Sequence, residues 1–203
     1  MIAVVSYGVS NVGSILNMLK KIGAPAVAVS TPAEIERAEK LILPGIGAFD
    51  NGMTALTDLG LVEPLKHRVG QDGIPLLGIC LGMQLLGSGS EEGVLPGLGL
   101  VNGRSIRFRS GGVPPLRVPH MGWNALASHR ESALLCGLDN GARFYFVHSY
   151  HFECERPADV LATARYGIEF TAMVQRDNVW GAQFHPEKSH RYGMALLRNF
   201  AKL

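Results

Sequence analysis

Apolar residues in the first part of the chain come in short runs separated by stretches of helical period. Ile2-Ala3-Val4-Val5 opens the chain and predicts a strand over residues 2–6, followed by the loop Tyr7-Gly8-Val9-Ser10-Asn11. Val12, Ile15, Leu16, Leu19 and Ile22 then recur on one helical face, with Asn11 as its cap and Gly23 as its stop. Residues 26–30 and 40–43 read as second and third strands, and Pro44-Gly45-Ile46-Gly47 as a sharp break. Helices are expected over 49–59 and 62–69, a strand over 74–79, and a helix over 81–86.

The second half has a different texture. Short β-type runs lie near 99–102, 105–108, 143–147, 160–164, 170–175 and 179–184, and Arg176-Asp177-Asn178 reads as a hairpin between the last two. A helix over 190–202 closes the chain, with Met194, Leu197 and Ala201 on one face. Strands alternating with helices predict an α/β fold with an open, mostly parallel sheet flanked by helices. The later runs add antiparallel strands to it. With no repeats, low-complexity segments or linkers, residues 1–203 read as a single domain.

Composition narrows the function classes. A chain of 203 residues with 47% hydrophobic residues and a net charge of +2 can bury a full core. Its dispersed charges offer no basic run for nucleic acid, and its apolar stretches are too short to span a membrane. The start looks like a first strand rather than a signal peptide. Cys80, Cys136 and Cys154 form neither a disulfide framework nor a metal-type pairing, which fits a reducing cytoplasm. No metal or organic cofactor is implied.

The chemistry concentrates in two segments. Gly78-Ile79-Cys80-Leu81-Gly82 directly follows an apolar run, so it reads as a buried strand turning sharply into a helix with Cys80 at the corner. The helix directs N–H groups at the sulfur, and Leu81 N–H can serve a developing oxyanion. Far downstream, His185-Pro186-Glu187 follows another strand, and on a regular strand its imidazole and carboxylate would share a face. A thiol, a base and an orienting acid are the minimum set for acyl transfer. Ligands in open parallel sheets sit beyond the carboxyl ends of strands, where Cys80, residues 44–47 and His185 all fall. Blander readings stay open: a packing turn at Cys80, and a solvated rim carboxylate at Glu187.

These residues resemble the class I, triad-type glutamine amidotransferase family along nearly the whole chain. The resemblance is carried by Tyr7-Gly8, Asn11, Leu43-Pro44-Gly45-Ile46-Gly47-Ala48-Phe49, the stretch from Gly78 to Leu86, Ser90-Glu91-Glu92, Val118-Pro119-His120-Met121-Gly122-Trp123-Asn124, Phe144-Tyr145-Phe146-Val147-His148-Ser149-Tyr150 and the stretch from Gln183 to Ser189. It implies a flavodoxin-like core and hydrolysis of L-glutamine to glutamate and ammonia by Cys80, His185 and Glu187. It also implies an oxyanion hole from Leu81 and the Gly45-Ile46-Gly47 loop, which needs a peptide flip before it can donate. Gln84, Glu92, His148, Ser149 and Tyr150 are then substrate-binding candidates.

The Pro-His-Met-Gly-Trp-Asn and Tyr-Phe-Val-His-Ser-Tyr runs are similar to the branch whose glutaminase subunits pair with a (β/α)8-barrel cyclase in histidine biosynthesis. Asn11, Pro119, Trp123, Asn124, Tyr145 and Lys188 match positions at that heterodimer interface. Two departures stand out. Ser10 replaces a glycine of the usual Tyr-Gly-x-Gly-Asn motif, and Ser tolerates positive φ less well. The segment from Lys188 to Met194 looks more like a paralogous branch that supplies ammonia for surface-polysaccharide sugars. Other readings keep Gln84 on a solvent face, Glu92 as a loop carboxylate, His148 as a structural histidine and Trp123 in the core. A different cysteine hydrolase and a non-catalytic flavodoxin-like module are the competing functions.

Overall fold

The computed structural model of the chain describes residues 1–109, 116–139 and 141–203. The first half runs β1 (Ile2–Val5), α1 (Val12–Lys21), β2 (Ala26–Val29), α2 (Pro32–Glu36), β3 (Lys40–Gly45), α3 (Phe49–Asp58), α4 (Val62–Gly70), β4 (Leu76–Cys80) and α5 (Leu81–Leu85). The second half adds β5 (Gly103–Arg107), β6 (His120–Ala125), β7 (Ala127–Ser128), β8 (Arg143–His148), β9 (Tyr150–Cys154), β10 (Val160–Tyr166), β11 (Ile168–Arg176), β12 (Val179–Ala182) and α6 (His190–Lys202).

Among the described residues, one large sheet has the strand order β2-β1-β3-β4-β12-β11-β10-β7. The strands from β2 to β12 in that order are parallel, and β11, β10 and β7 continue it antiparallel. Strand β9 branches from β11 and carries β5, while β6 and β8 form a separate antiparallel ribbon. The parallel strands β1, β3, β4 and β12 are buried on both faces, which is why they read as unbroken apolar runs rather than alternating ones, while the edge strand β2 is partly exposed. On β3, Leu41 and Leu43 join one core cluster with Phe49, Leu56 and Leu65. Ile42 joins the other, with Ile15, Leu19, Leu196 and Phe200. Helices α1 and α6 thus cover one face and α3 and α4 the other.

Several local expectations change. Helix α2 was not foreseen, although Thr31 and Glu34 form a capping box around Pro32 at its start. Residues 99–102 bend instead of pairing, with Gly99 at φ +67°, and the strand begins at Gly103. Strand β3 continues through Pro44 and Gly45, paired with Ile79 and Cys80. Its pairing with β1 stops at Ile42, so Pro44, which has no N–H, needs no partner on that side. Strands β6 and β9 emerge from segments whose polar residues hid them. Asn11 stands at the N-cap of α1, but its side chain makes no capping bond. The buried face of α6 is Gly193, Leu196, Leu197 and Phe200, with Met194 and Ala201 at its half-buried flanks. The helix turns that way because Gly193 packs against the Pro186 carbonyl, where a Cβ would not fit. The positive φ of the first loop falls on Gly8, at +88°, and not on Ser10.

Candidate active site

Cys80 ends β4 and caps α5 with φ +54° and ψ −111°, a conformation that costs a non-glycine residue free energy. The corner is tight: a Cβ on Gly78 would lie 2.7 Å from the Gly82 carbonyl oxygen, and one on Gly82 would collide with the Leu43 carbonyl. Strand, nucleophile and helix are therefore compressed into the arrangement of a nucleophile elbow.

His185 lies three residues beyond β12. Its N–H donates to the Tyr145 carbonyl at 2.9 Å, and its own carbonyl accepts from Ser189 Oγ at 2.6 Å. Ser189 Oγ in turn accepts from Tyr145 N–H at 3.0 Å, so the ribbon strand β8 fixes the backbone on which the imidazole rides. A 3-10 turn over Pro186–Lys188 swings Glu187 back beneath the ring, placing Nδ1 2.8 Å from Oε1. The pair meets through this turn and not across a strand face. Both side chains are only 3% exposed, which removes the solvated-rim reading of Glu187.

Burial disfavours a charged imidazole at His185, but contacts with Cys80 and Glu187 outweigh it and raise the pKa to about 10. Nε2 is buried with no hydrogen-bond partner among the described residues other than the Cys80 thiol it faces, which supports the proton on the ring.

A cavity of about 340 Å³ opens above the corner. Its walls hold Cys80, Leu81, His185, Ile46, Gly47, Gln84, Glu92, His148, Ser149 and Tyr150, together with Pro119, Lys188 and Val147. Sequence segments distant along the chain thus converge on one space of amino-acid size. Gly45 and Glu187 sit behind the wall. Gln84 is buried, not solvent-facing. Its Nε2 donates to Gln183 Oε1 at 3.1 Å and to the Tyr150 carbonyl at 3.3 Å, which leaves Oε1 as the group it can offer a ligand. Glu92 accepts from Phe49 N–H at 2.9 Å at the start of α3. Ile46 N–H, a candidate oxyanion donor, donates to the Val9 carbonyl at 2.9 Å.

His148 is both a cavity wall and a structural residue. It donates from Nδ1 to the Tyr150 carbonyl at 2.8 Å, so Nε2 must accept, and His120 Nδ1 donates to it at 3.0 Å. Asn124 Nδ2 completes the chain at 3.5 Å from His120 Nε2. Burial lowers the pKa of His148 to about 3 and that of His120 to about 4, keeping both rings neutral as this pattern of donors requires.

A family model for class-I glutamine amidotransferases matches residues 3–203. The chain belongs to this family. The imidazole glycerol phosphate synthase subunit HisH 2 of Pseudomonas aeruginosa is 51% identical over 203 residues, covering 100% of both chains. The subunit of the same name from Methanococcus maripaludis is 50% identical, covering 100% of this chain and 99% of its own. A solved glutamine amidotransferase superposes with a TM-score of 0.74 at 23% identity, covering 100% of this chain and 99% of that one. PurLQS from Thermotoga maritima superposes at 0.77 and 19% identity, covering 99% of this chain and 97% of that one, so both share the fold.

The interface candidates divide by strand face. Trp123 pairs with Tyr145 across β6 and β8, and both point outward. Trp123 is 40% exposed, so it is not core. It stacks on His190 and meets Tyr145 edge-on, while Lys188 Nζ lies 5.7 Å from the Tyr145 ring centroid. Pro119 and Lys188 are exposed at the cavity mouth. Asn124 alternates to the inner face, where it also donates to the Arg165 carbonyl at 2.9 Å. Asn11 does not border the cavity.

Gln183 and Tyr7, two buried residues beside Cys80, stand in segments that carry the family resemblance but had no role of their own in the sequence reading. Gln183 is fully buried and its Nε2 lies 3.8 Å from Cys80 Sγ. A glutamine inside the apolar run Val179–Phe184, two residues before His185, was the available signal. Tyr7 is buried beneath Gly45, and its only signal in the sequence is the Tyr7-Gly8 motif of the first loop.

Proposed function

We propose that this chain is the glutaminase subunit of an imidazole glycerol phosphate synthase, using Cys80, His185 and Glu187 to hydrolyse L-glutamine. The observation that carries the reading is the buried His185–Glu187 pair, 2.8 Å apart, facing a cysteine held at positive φ within one cavity. The full-length likeness to synthase subunits supplies the pathway.

Cys80 Sγ attacks the side-chain amide carbon, and the carbonyl electron pair moves to oxygen. Leu81 N–H and an N–H of the Gly45-Ile46-Gly47 loop receive that oxyanion. His185, holding a proton beside the sulfur, favours the anionic nucleophile and then gives the proton to the leaving nitrogen. Glu187 orients the ring and stabilises its cationic form. Ammonia departs and a glutamyl thioester remains. His185 takes a proton from water, the hydroxide adds to the thioester carbon, and glutamate leaves as Cys80 is restored. Gln84 Oε1 and Glu92 are acceptors for the substrate ammonium, and Ser149 and Tyr150 flank its carboxylate.

The ammonia passes to a (β/α)8-barrel cyclase subunit. The rim suits such a partner: Met121, Trp123 and Ile46 expose apolar side chains at 62%, 40% and 48%, close to the mouth of the cavity. A second reading keeps the chemistry and sends ammonia to a surface-polysaccharide sugar. The resemblance of the segment Lys188–Met194 to the branch that supplies such sugars favours it, and the segment's His190 lies at this rim, stacked on Trp123. The test is to purify the chain with its barrel and treat it with a glutamine-mimicking affinity label. Cys80 alone should be modified, and glutamine should support amination of a ribulosyl aminoimidazole nucleotide. An unmodified Cys80 refutes the glutaminase; amination of a sugar instead selects the second reading.

A further inference from the structure

The hydroxyl of Tyr7 is an anomaly beside the nucleophile. The residue is 2% exposed, and its hydroxyl has no hydrogen-bond partner among the described residues. Native interiors rarely leave a buried polar group unpaired without a reason. The hydroxyl lies against Gly45: a Cβ there would be 2.5 Å from it and 2.9 Å from Gly82 N. Gly45 thus leaves room for this oxygen next to its own backbone.

The following peptide is held by the same loop. Ile46 N–H donates to the Val9 carbonyl at 2.9 Å, two residues after Tyr7. Segment 7–9 therefore lies against residues 45 and 46 at two points, Val9 on the Ile46 N–H and Tyr7 on the open side of Gly45. The Val9 carbonyl engages that N–H, and the Tyr7 O–H engages nothing. Burial, and next the charge of Cys80, push the Tyr7 pKa up, so the group remains an O–H donor at any working pH.

We propose that Tyr7 is a positioning residue for the oxyanion hole: its O–H is the standing donor for the Gly45 carbonyl when the Gly45–Ile46 peptide turns its N–H away from Val9 and toward the Cys80 side. Turning that peptide exchanges the directions of N–H and C=O. It breaks the bond to Val9, and a waiting hydroxyl replaces the lost interaction. The inference rests on the glutaminase reading, with residues 45–47 supplying an oxyanion donor.

The test is Tyr7→Phe, which removes one oxygen, measured in the complex with the barrel subunit. Glutamine kcat should fall roughly tenfold, the scale of one lost hydrogen bond, with KM changed by less than about twofold. Ammonia-dependent synthesis and the melting temperature should hold or, for the latter, rise, since an unpaired buried hydroxyl is gone. An unchanged kcat overturns the proposal, because the hydroxyl is then only packing. A fall in kcat accompanied by a lower melting temperature or weaker ammonia-dependent synthesis also overturns it, as a general structural role. Absence of Cys80-dependent hydrolysis in the unsubstituted complex would instead bring down the glutaminase reading itself.

Discussion

His185 Nδ1 stands 2.8 Å from Glu187 Oε1, with both side chains withdrawn from solvent. The pKa of His185 is raised from 6.5 to about 10 with the support of Cys80 and Glu187 against the cost of burial. A raised folded-state pKa contributes stability that is complete below about 6.5 and lost as pH rises through about 10. Glu187→Gln keeps the shape and removes the charge. The variant should be less stable than the parent at pH 6.5, and the gap should close as pH approaches 10. Urea midpoints across that range check it; a gap that stays constant or widens refutes the pairing. Glutamine turnover in the variant should drop about a hundredfold or more, as when a triad's orienting acid is neutralised.

Cys80→Ala removes the proposed nucleophile and leaves the proposed ammonia-using partner untouched. Glutamine-dependent activity of the complex should fall by at least about a thousandfold, the usual consequence of losing a triad nucleophile. Synthesis with added ammonium salt should persist. Retained glutamine hydrolysis would place the chemistry elsewhere. Relief of the positive φ is incomplete with alanine, so stability is expected to change little.

Much of this site was legible in the sequence because its mechanical demands are local. Gly78, Cys80 and Gly82 announce a compressed turn, and the apolar runs on either side announce buried parallel strands. What was not legible depends on contacts between distant segments. Tyr7 is only a motif residue until its hydroxyl is seen against Gly45, and Gln183 looks like a strand residue until its amide is seen between Gln84 and Cys80. Likewise β6 was hidden because its inner face carries His120 and Asn124, polar residues whose partners lie on β8 and β10. The pairing of His185 with Glu187 could be guessed from their spacing, but the 3-10 turn that achieves it could not.

The His120–His148 couple sets a second pH limit. Both pKa values are depressed, mainly by burial, to about 4 and about 3. A depressed histidine makes folding less favourable as pH falls from 6.5 through the folded value, because the unfolded chain takes up protons first. His120→Phe keeps an aromatic ring against Tyr166 and removes one titrating group. Its stability should decline less steeply between pH 6.5 and 4 than that of the parent. At neutral pH it should be less stable by roughly 1–3 kcal/mol, since His148 Nε2 is left unpaired. A parallel decline in both proteins would show that the buried pair does not report on folding. KM for glutamine should rise more than kcat falls, because Tyr150 at the cavity wall is tied to His148.

Trp123 tests the docking rim. Its ring is 40% exposed yet held on two sides, stacked on His190 at 5.4 Å with planes 7° apart and meeting Tyr145 edge-on at 6.1 Å. An exposed but preordered aromatic loses little entropy on association, which is why such residues anchor interfaces. Trp123→Ala should therefore weaken binding of the proposed barrel partner by about 2 kcal/mol or more, close to thirtyfold, while the isolated chain keeps its melting temperature within a few degrees. His190→Ala tests the preordering separately: it frees one face of the indole and leaves the contact atoms in place. A smaller loss, roughly two- to tenfold, is expected from the restored freedom of one side chain. If Trp123→Ala binds the barrel as tightly as the parent, the aromatic cluster has no part in docking. If His190→Ala costs as much as Trp123→Ala, the histidine itself contacts the partner, and the segment from Lys188 to Met194 selects which barrel is bound.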